Sequence, residues 1–121
     1  MPNTNPEDSR VLRELTDSER GSALMYRFVP VLDSAQTLRF AHTEIFAPAK
    51  ATLAFVDQEP TANWGHRCRY VLIDRDTDLA TSIAAKFPPF TAQNRSEWRL
   101  IYQAPDVPDR FVAAPSLPAD R

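Results

Sequence analysis

The sequence predicts an α+β domain, with a four- or five-stranded, mainly antiparallel sheet and one or two helices on a face. An all-β sandwich is the runner-up. Three observations carry the first reading. Residues 24–57 hold short alternating apolar segments, which read as an antiparallel meander. Residues 5–21 open and close as a helix does. Residues 67–103 read as strand, helix, strand, a span long enough for a right-handed parallel crossover. A length of 121 residues suits one domain. We place it at 6–103, after a disordered segment 1–5 and before an extended proline-rich tail 104–121.

The elements follow in order. Asn5 is a helix cap, Pro6 fits the first helical position, and Glu7 and Asp8 put acid in the first turn. Val11, Leu12 and Leu15 form a narrow apolar stripe, and Arg20-Gly21 suits the helix end. Leu24–Leu32 reads as a strand in which Pro30, lacking an N–H, marks an edge position or a break. Thr37–Phe46 reads as a second strand, with Leu38, Phe40, His42, Glu44 and Phe46 on one side. Ala51–Asp57 is apolar on both faces and therefore central. Asp57–Asn63 is a polar loop, and Arg67–Asp74 is the fourth strand.

Two readings compete for residues 76–87. The favoured one is a helix capped by Asp76, with Leu79, Ile83 and Phe87 every four residues and Pro88 as its stop. The other is a hairpin with Asp74–Asp78 as its turn and Leu79–Ala84 as a strand. Glu97–Gln103 closes the set, with Trp98, Leu100 and Tyr102 on one face. Beyond it, Pro105, Pro108, Pro115 and Pro118 surround a short apolar Phe111-Val112.

Composition limits the function classes. Charge is −2 with 25% charged residues, so no global field attracts nucleic acid or an anionic membrane. No apolar run reaches the length of a membrane span, and residues 1–8 lack the pattern of a secretion signal. One cysteine precludes an intrachain disulfide and fits a reducing compartment, so a cytoplasmic protein is expected. Twelve arginines against two lysines suit carboxylate recognition, although a GC-rich genome produces the same bias. Eleven prolines against two glycines favour longer loops over tight two-residue hairpins.

The chemistry-bearing residues concentrate in Trp64–Asp74. Alternation puts Trp64, His66, Cys68, Tyr70 and Leu72 on one face, and Arg67, Arg69, Val71 and Ile73 on the other. If this strand lies beside that of His42 and Glu44, His42, Glu44, His66 and Cys68 converge in an apolar pocket lined by Phe40 and Tyr70. Cysteine beside histidine supplies a thiolate nucleophile or a soft metal site. A buried cysteine acting as a small hydrophobe explains the same pattern, and the His-x-Cys spacing is no ligand signature. No metal and no cofactor are therefore expected.

Arg67 and Arg69, with Arg75, Arg95 and Arg99, form a potential basic stripe interleaved with Trp64, Tyr70 and Trp98. A solvated strand face, or a carboxylate-rich protein partner, accounts for it better than nucleic acid. Asp74, Asp76 and Asp78 lack the glycine and glutamate of a calcium loop and read as a turn or cap. No phosphate loop, dinucleotide fingerprint, nucleophile elbow or zinc-protease motif occurs. The expectation is a protein-interaction or accessory domain without catalysis that self-associates or binds a protein partner. The alternative is an enzyme or ligand binder using the His42, Glu44, His66 and Cys68 pocket.

Overall fold

The computed structural model describes residues 5–40, 42–62 and 65–115. Among these residues two short α-helices, α1 (Pro6–Leu12) and α2 (Asp17–Arg20), precede seven strands. These are β1 (Leu24–Phe28), β2 (Gln36–Phe40), β3 (Thr43–Ala47), β4 (Ala51–Asp57), β5 (Cys68–Asp74), β6 (Ala80–Ala85) and β7 (Trp98–Gln103). Five of them form an antiparallel sheet in the order β6-β5-β4-β1-β7, and β2 and β3 form a separate hairpin. The expected α+β architecture is present.

The sheet is covered on both sides because its strands alternate between two apolar sets. Tyr26, Phe55, Cys68, Tyr70, Trp98 and their neighbours pack under β2–β3, Phe90 and the segment 111–114. Met25, Ala54, Val56, Val71 and Ile73 pack against Val11 and Leu15 of the helical segment. β4 is buried along its whole length, as its two apolar faces predict.

The second face is fastened by charge. Asn5 caps α1 by accepting from the Glu7 and Asp8 N–H groups, which turns those acids towards the sheet. There Arg27 donates through Nε to Asp8 and through a terminal nitrogen to Glu7 at 2.8 Å. Thr16 and Glu19 form a reciprocal capping box on α2. Arg69 grips Glu19 with two bonds of 2.8 Å and also donates to the Glu14 carbonyl. The Glu19 carboxyl is held down at about 2: burial opposes ionisation, but bonds from Arg69, the α2 backbone and Gln58 outweigh it.

Several expectations change. The helix predicted over 5–20 is two pieces, because a second cap at Thr16 starts α2 after a turn at 13–15. β1 stops at Phe28 and lies between β4 and β7, so Pro30 marks a break and not an edge. The predicted strand Thr37–Phe46 is the hairpin β2–β3. Phe40 lies opposite Thr43, with two residues between them and neither of them glycine. The fold-back buries Ile45 beside Leu38 and Phe40 and leaves Phe46 54% exposed, a burial pattern that a straight strand could not produce.

The favoured helix over 76–87 is also overturned, and with it the parallel crossover. Asp74 Oδ1 accepts from the N–H groups of Asp76 and Thr77, Asp78 takes a left-handed φ of 65°, and β6 returns antiparallel to β5. A spacing of four residues satisfies strand alternation as well as a helical turn, so Leu79, Ile83 and Phe87 could not discriminate. Glycine scarcity was equally indecisive, since Ala35 and Asp78 supply the left-handed positions.

Candidate functional site

Two features stand out within residues 57–86: a corner and an edge. The corner lies where β4 ends beside the start of β5. Asp57 is opposite Cys68 in the register, and its Oδ1 meets His66 Nε2 at 2.7 Å. Asp57 lies at an alternate position to Phe55 and thus faces the aromatic side of the sheet. Burial raises its carboxyl above the ordinary value, and the His66 contact offsets part of that. The Cys68 thiol is pushed up to about 12, by burial first and then by the Asp57 charge. It is held as a thiol at neutral pH, whereas nucleophilic or metal-ligating cysteine must be thiolate.

The structure unites His66 and Cys68 at this corner and separates them from Glu44. Glu44 sits on the exposed hairpin and accepts from Arg39 Nε at 2.8 Å. His42, at the hairpin tip, lays its ring against Phe87 with centroids 4.2 Å apart. The same Phe87 ring lies against Gly65, whose φ of 80° leaves no room for strain-free substitution. Phe40 stacks on Tyr70 at 5.6 Å and 5° and reaches Trp98 at 5.8 Å, so both belong to the core and not to a pocket wall. Trp64 lies outside the described residues. Among the described residues no group of three His, Cys, Asp or Glu side chains is placed to hold a metal ion.

The arginines expected to form a basic stripe are mostly engaged within the chain. Arg69 is occupied by Glu19, and Arg75 by Glu7 and Thr52. Arg99 donates to the backbone carbonyls of Ser96 and Trp98. Arg67 stays exposed, with its backbone N–H on Glu59 Oε1 at 2.9 Å. It lines an open groove of about 480 Å³ with His66, Glu59, Ala85 and Lys86.

That groove opens at the end of β6, and β6 is the second feature. It terminates the sheet, and among the described residues nothing pairs with its outer side. Its sequence, Ala80-Thr81-Ser82-Ile83-Ala84-Ala85, holds no charge, proline or glycine and is mostly exposed. Leu79, just before it, is 71% exposed. The opposite edge is handled differently. β7 carries Arg99, has an irregular register against β1, and donates from Leu100 N–H to the Pro115 carbonyl at 2.8 Å.

Sequence reasoning missed both Asp57 and the edge. A carboxylate ending an otherwise apolar strand was the available signal for Asp57. The β6 edge was hidden by the helical reading of its residues. No helix among the described residues is long and apolar enough to cross a membrane. Comparison with known proteins found no family model that matches the chain, and no curated protein or solved structure similar to it.

Proposed function

We propose that this chain is a protein-interaction domain without chemistry of its own, which docks a partner strand on the open edge of β6. One observation carries the reading: six consecutive uncharged residues whose outer ladder is unpaired among the described residues, beside an exposed leucine. Soluble proteins ordinarily blunt such an edge with lysine, proline, a bulge or a covering segment, as β7 is blunted here. An added strand gains main-chain hydrogen bonds along the ladder, and flanking side chains supply selectivity. The state of Cys68, a buried thiol, supports a non-catalytic role in a reducing compartment such as the cytoplasm. The binding of Arg69 and Arg75 to carboxylates within the chain argues for protein over nucleic acid as partner.

The test is a photo-cross-linking residue at position 79 of the full chain, expressed in its own cells, with adducts identified by mass spectrometry. A discrete adduct is expected, and introducing Ser82→Pro should abolish it while the circular dichroism spectrum persists. An adduct insensitive to Ser82→Pro, or none at all, rejects the docking strand.

A further inference from the structure

The ladder of β6 has a symmetry that selects its partner. Asp74 donates its N–H to the Leu79 carbonyl at 2.9 Å, which marks 74 and 79 as a hydrogen-bonded pair. Antiparallel ladders alternate, so 72 with 81, 70 with 83 and 68 with 85 bond inward along the observed register. Ala80, Ser82 and Ala84 therefore direct their N–H and C=O groups outward. These three are spaced evenly about Ser82.

We infer that β6 pairs antiparallel with β6 of a second copy, about a two-fold axis at Ser82. The inference rests on the reading of β6 as the docking strand. In this register Ser82 faces Ser82 of the second copy, and Ala80 faces its Ala84. Every outward-directed residue then meets another, and each such pair exchanges two hydrogen bonds. The small, uncharged side chains at 80, 82 and 84 leave the two edges free to approach.

The flanks supply charge complementarity. β6 begins after an acidic turn, Asp74, Asp76 and Asp78, and ends at Lys86 beside Arg67 in the groove. The same two-fold places the acidic turn, with Asp76, against the second copy's Arg67–Lys86 groove, once at each end; Asp78, in register with Lys86, is already held by Arg10. Among the described residues Asp76, Arg67 and Lys86 form no ion pair within the chain. A parallel pairing in register would set Lys86 against Lys86 and the acids against one another. Complementary potentials of this kind fix register and reject wrong pairings.

Sedimentation velocity of the full chain tests the pairing, together with single cysteines under mild oxidation. Wild type sediments as a dimer that weakens with salt. Arg67→Glu with Lys86→Glu raises the dissociation constant by about tenfold or more, and adding Asp76→Lys restores much of it. Ser82→Cys cross-links to itself, because directly bonded antiparallel pairs hold their Cα atoms about 5.5 Å apart, within disulfide range. Ala80→Cys and Ala84→Cys cross-link only when mixed. A monomeric wild type, or self-linking by Ala80→Cys as efficient as by Ser82→Cys, overturns the inference. If the position-79 adduct contains a different protein and wild type is monomeric, the docking strand stands and the second copy falls. If there is no adduct either, both fall.

Discussion

The two faces of the central sheet are held by different physics. The helical face is a set of carboxylates gripped by arginines: Asp8 and Glu7 by Arg27, Glu19 by Arg69, Glu7 also by Arg75, and Asp78 by Arg10. The opposite face is a cluster of rings, with Tyr26, Phe28, Phe40, Phe55, Tyr70, Phe90 and Trp98 in stacked and edge contacts. Polar pairs are peripheral there: Asp57 with His66 at the rim where β4 ends, and Arg39 with Glu44 out on the hairpin. The contrast follows from the covering elements. Two helices totalling a few turns offer few apolar side chains, so directional charge-assisted bonds supplement the thin stripe. The hairpin and the 86–115 segment bring aromatics, and area suffices.

The contrast also predicts opposite responses to acid. Glu19 lies below its ordinary value of 4.5, so its stabilisation is complete above that value and is lost as pH falls towards about 2. Asp57 is raised, so its contribution is most favourable below the ordinary 3.8 and declines as pH rises through its folded value. Acid therefore loosens the helical face first.

The largest expected effect is on the aromatic face. Trp98→Ala removes a fully buried ring and should cost about 4 kcal/mol in urea unfolding. A loss under about 1 kcal/mol would mean that this cluster is not the main source of stability. Next, Arg27→Met leaves Asp8, only 1% exposed, without its guanidinium and should cost about 3 kcal/mol. Adding Asp8→Leu should recover most of that, because a buried pair replaced by apolar groups is nearly neutral. Third, Glu19→Gln should cost about 2 to 3 kcal/mol at pH 7 and almost nothing near pH 2, read from unfolding curves across that range. A pH-independent penalty would show that packing, and not the Arg69 grip, dominates there.

The smallest effect sharpens the aromatic side. Tyr70 Oη and Trp98 Nε1 are buried and lack a hydrogen-bond partner among the described residues. Tyr70→Phe deletes one of these groups without changing the ring. It should leave stability unchanged or raise it by about 1 kcal/mol, measured by thermal unfolding. A clear loss would reveal that the hydroxyl is satisfied in solution.

Much of this fold was legible in the chain. β4 matched its predicted bounds, because an apolar run flanked by Lys50 and a polar loop has one reading. The α1 cap and the two faces of β5 were equally direct, since each depends on local chemistry or on a period of two. The errors fell where local signals are degenerate. Leu79, Ile83 and Phe87 fit helix and strand alike, and Phe40-Ala41-His42-Thr43 carries no turn residue to announce a reversal. The candidate site shared this limit: the pairing of His66 with Cys68 on one face was readable, while Asp57 entered only through the register of β4 on β5.

By itself the sequence determined the α+β class, the central strand, the helix start and which side chains share a face of β5. These depend on residues near one another along the chain. Only the tertiary structure decided that β6 ends the sheet, that Glu44 stays away from His66, and that arginines of one face are bound to the helices' carboxylates. Those facts depend on which distant segments become neighbours, and the sheet's pairing order sets that through long-range hydrogen bonds and shared burial.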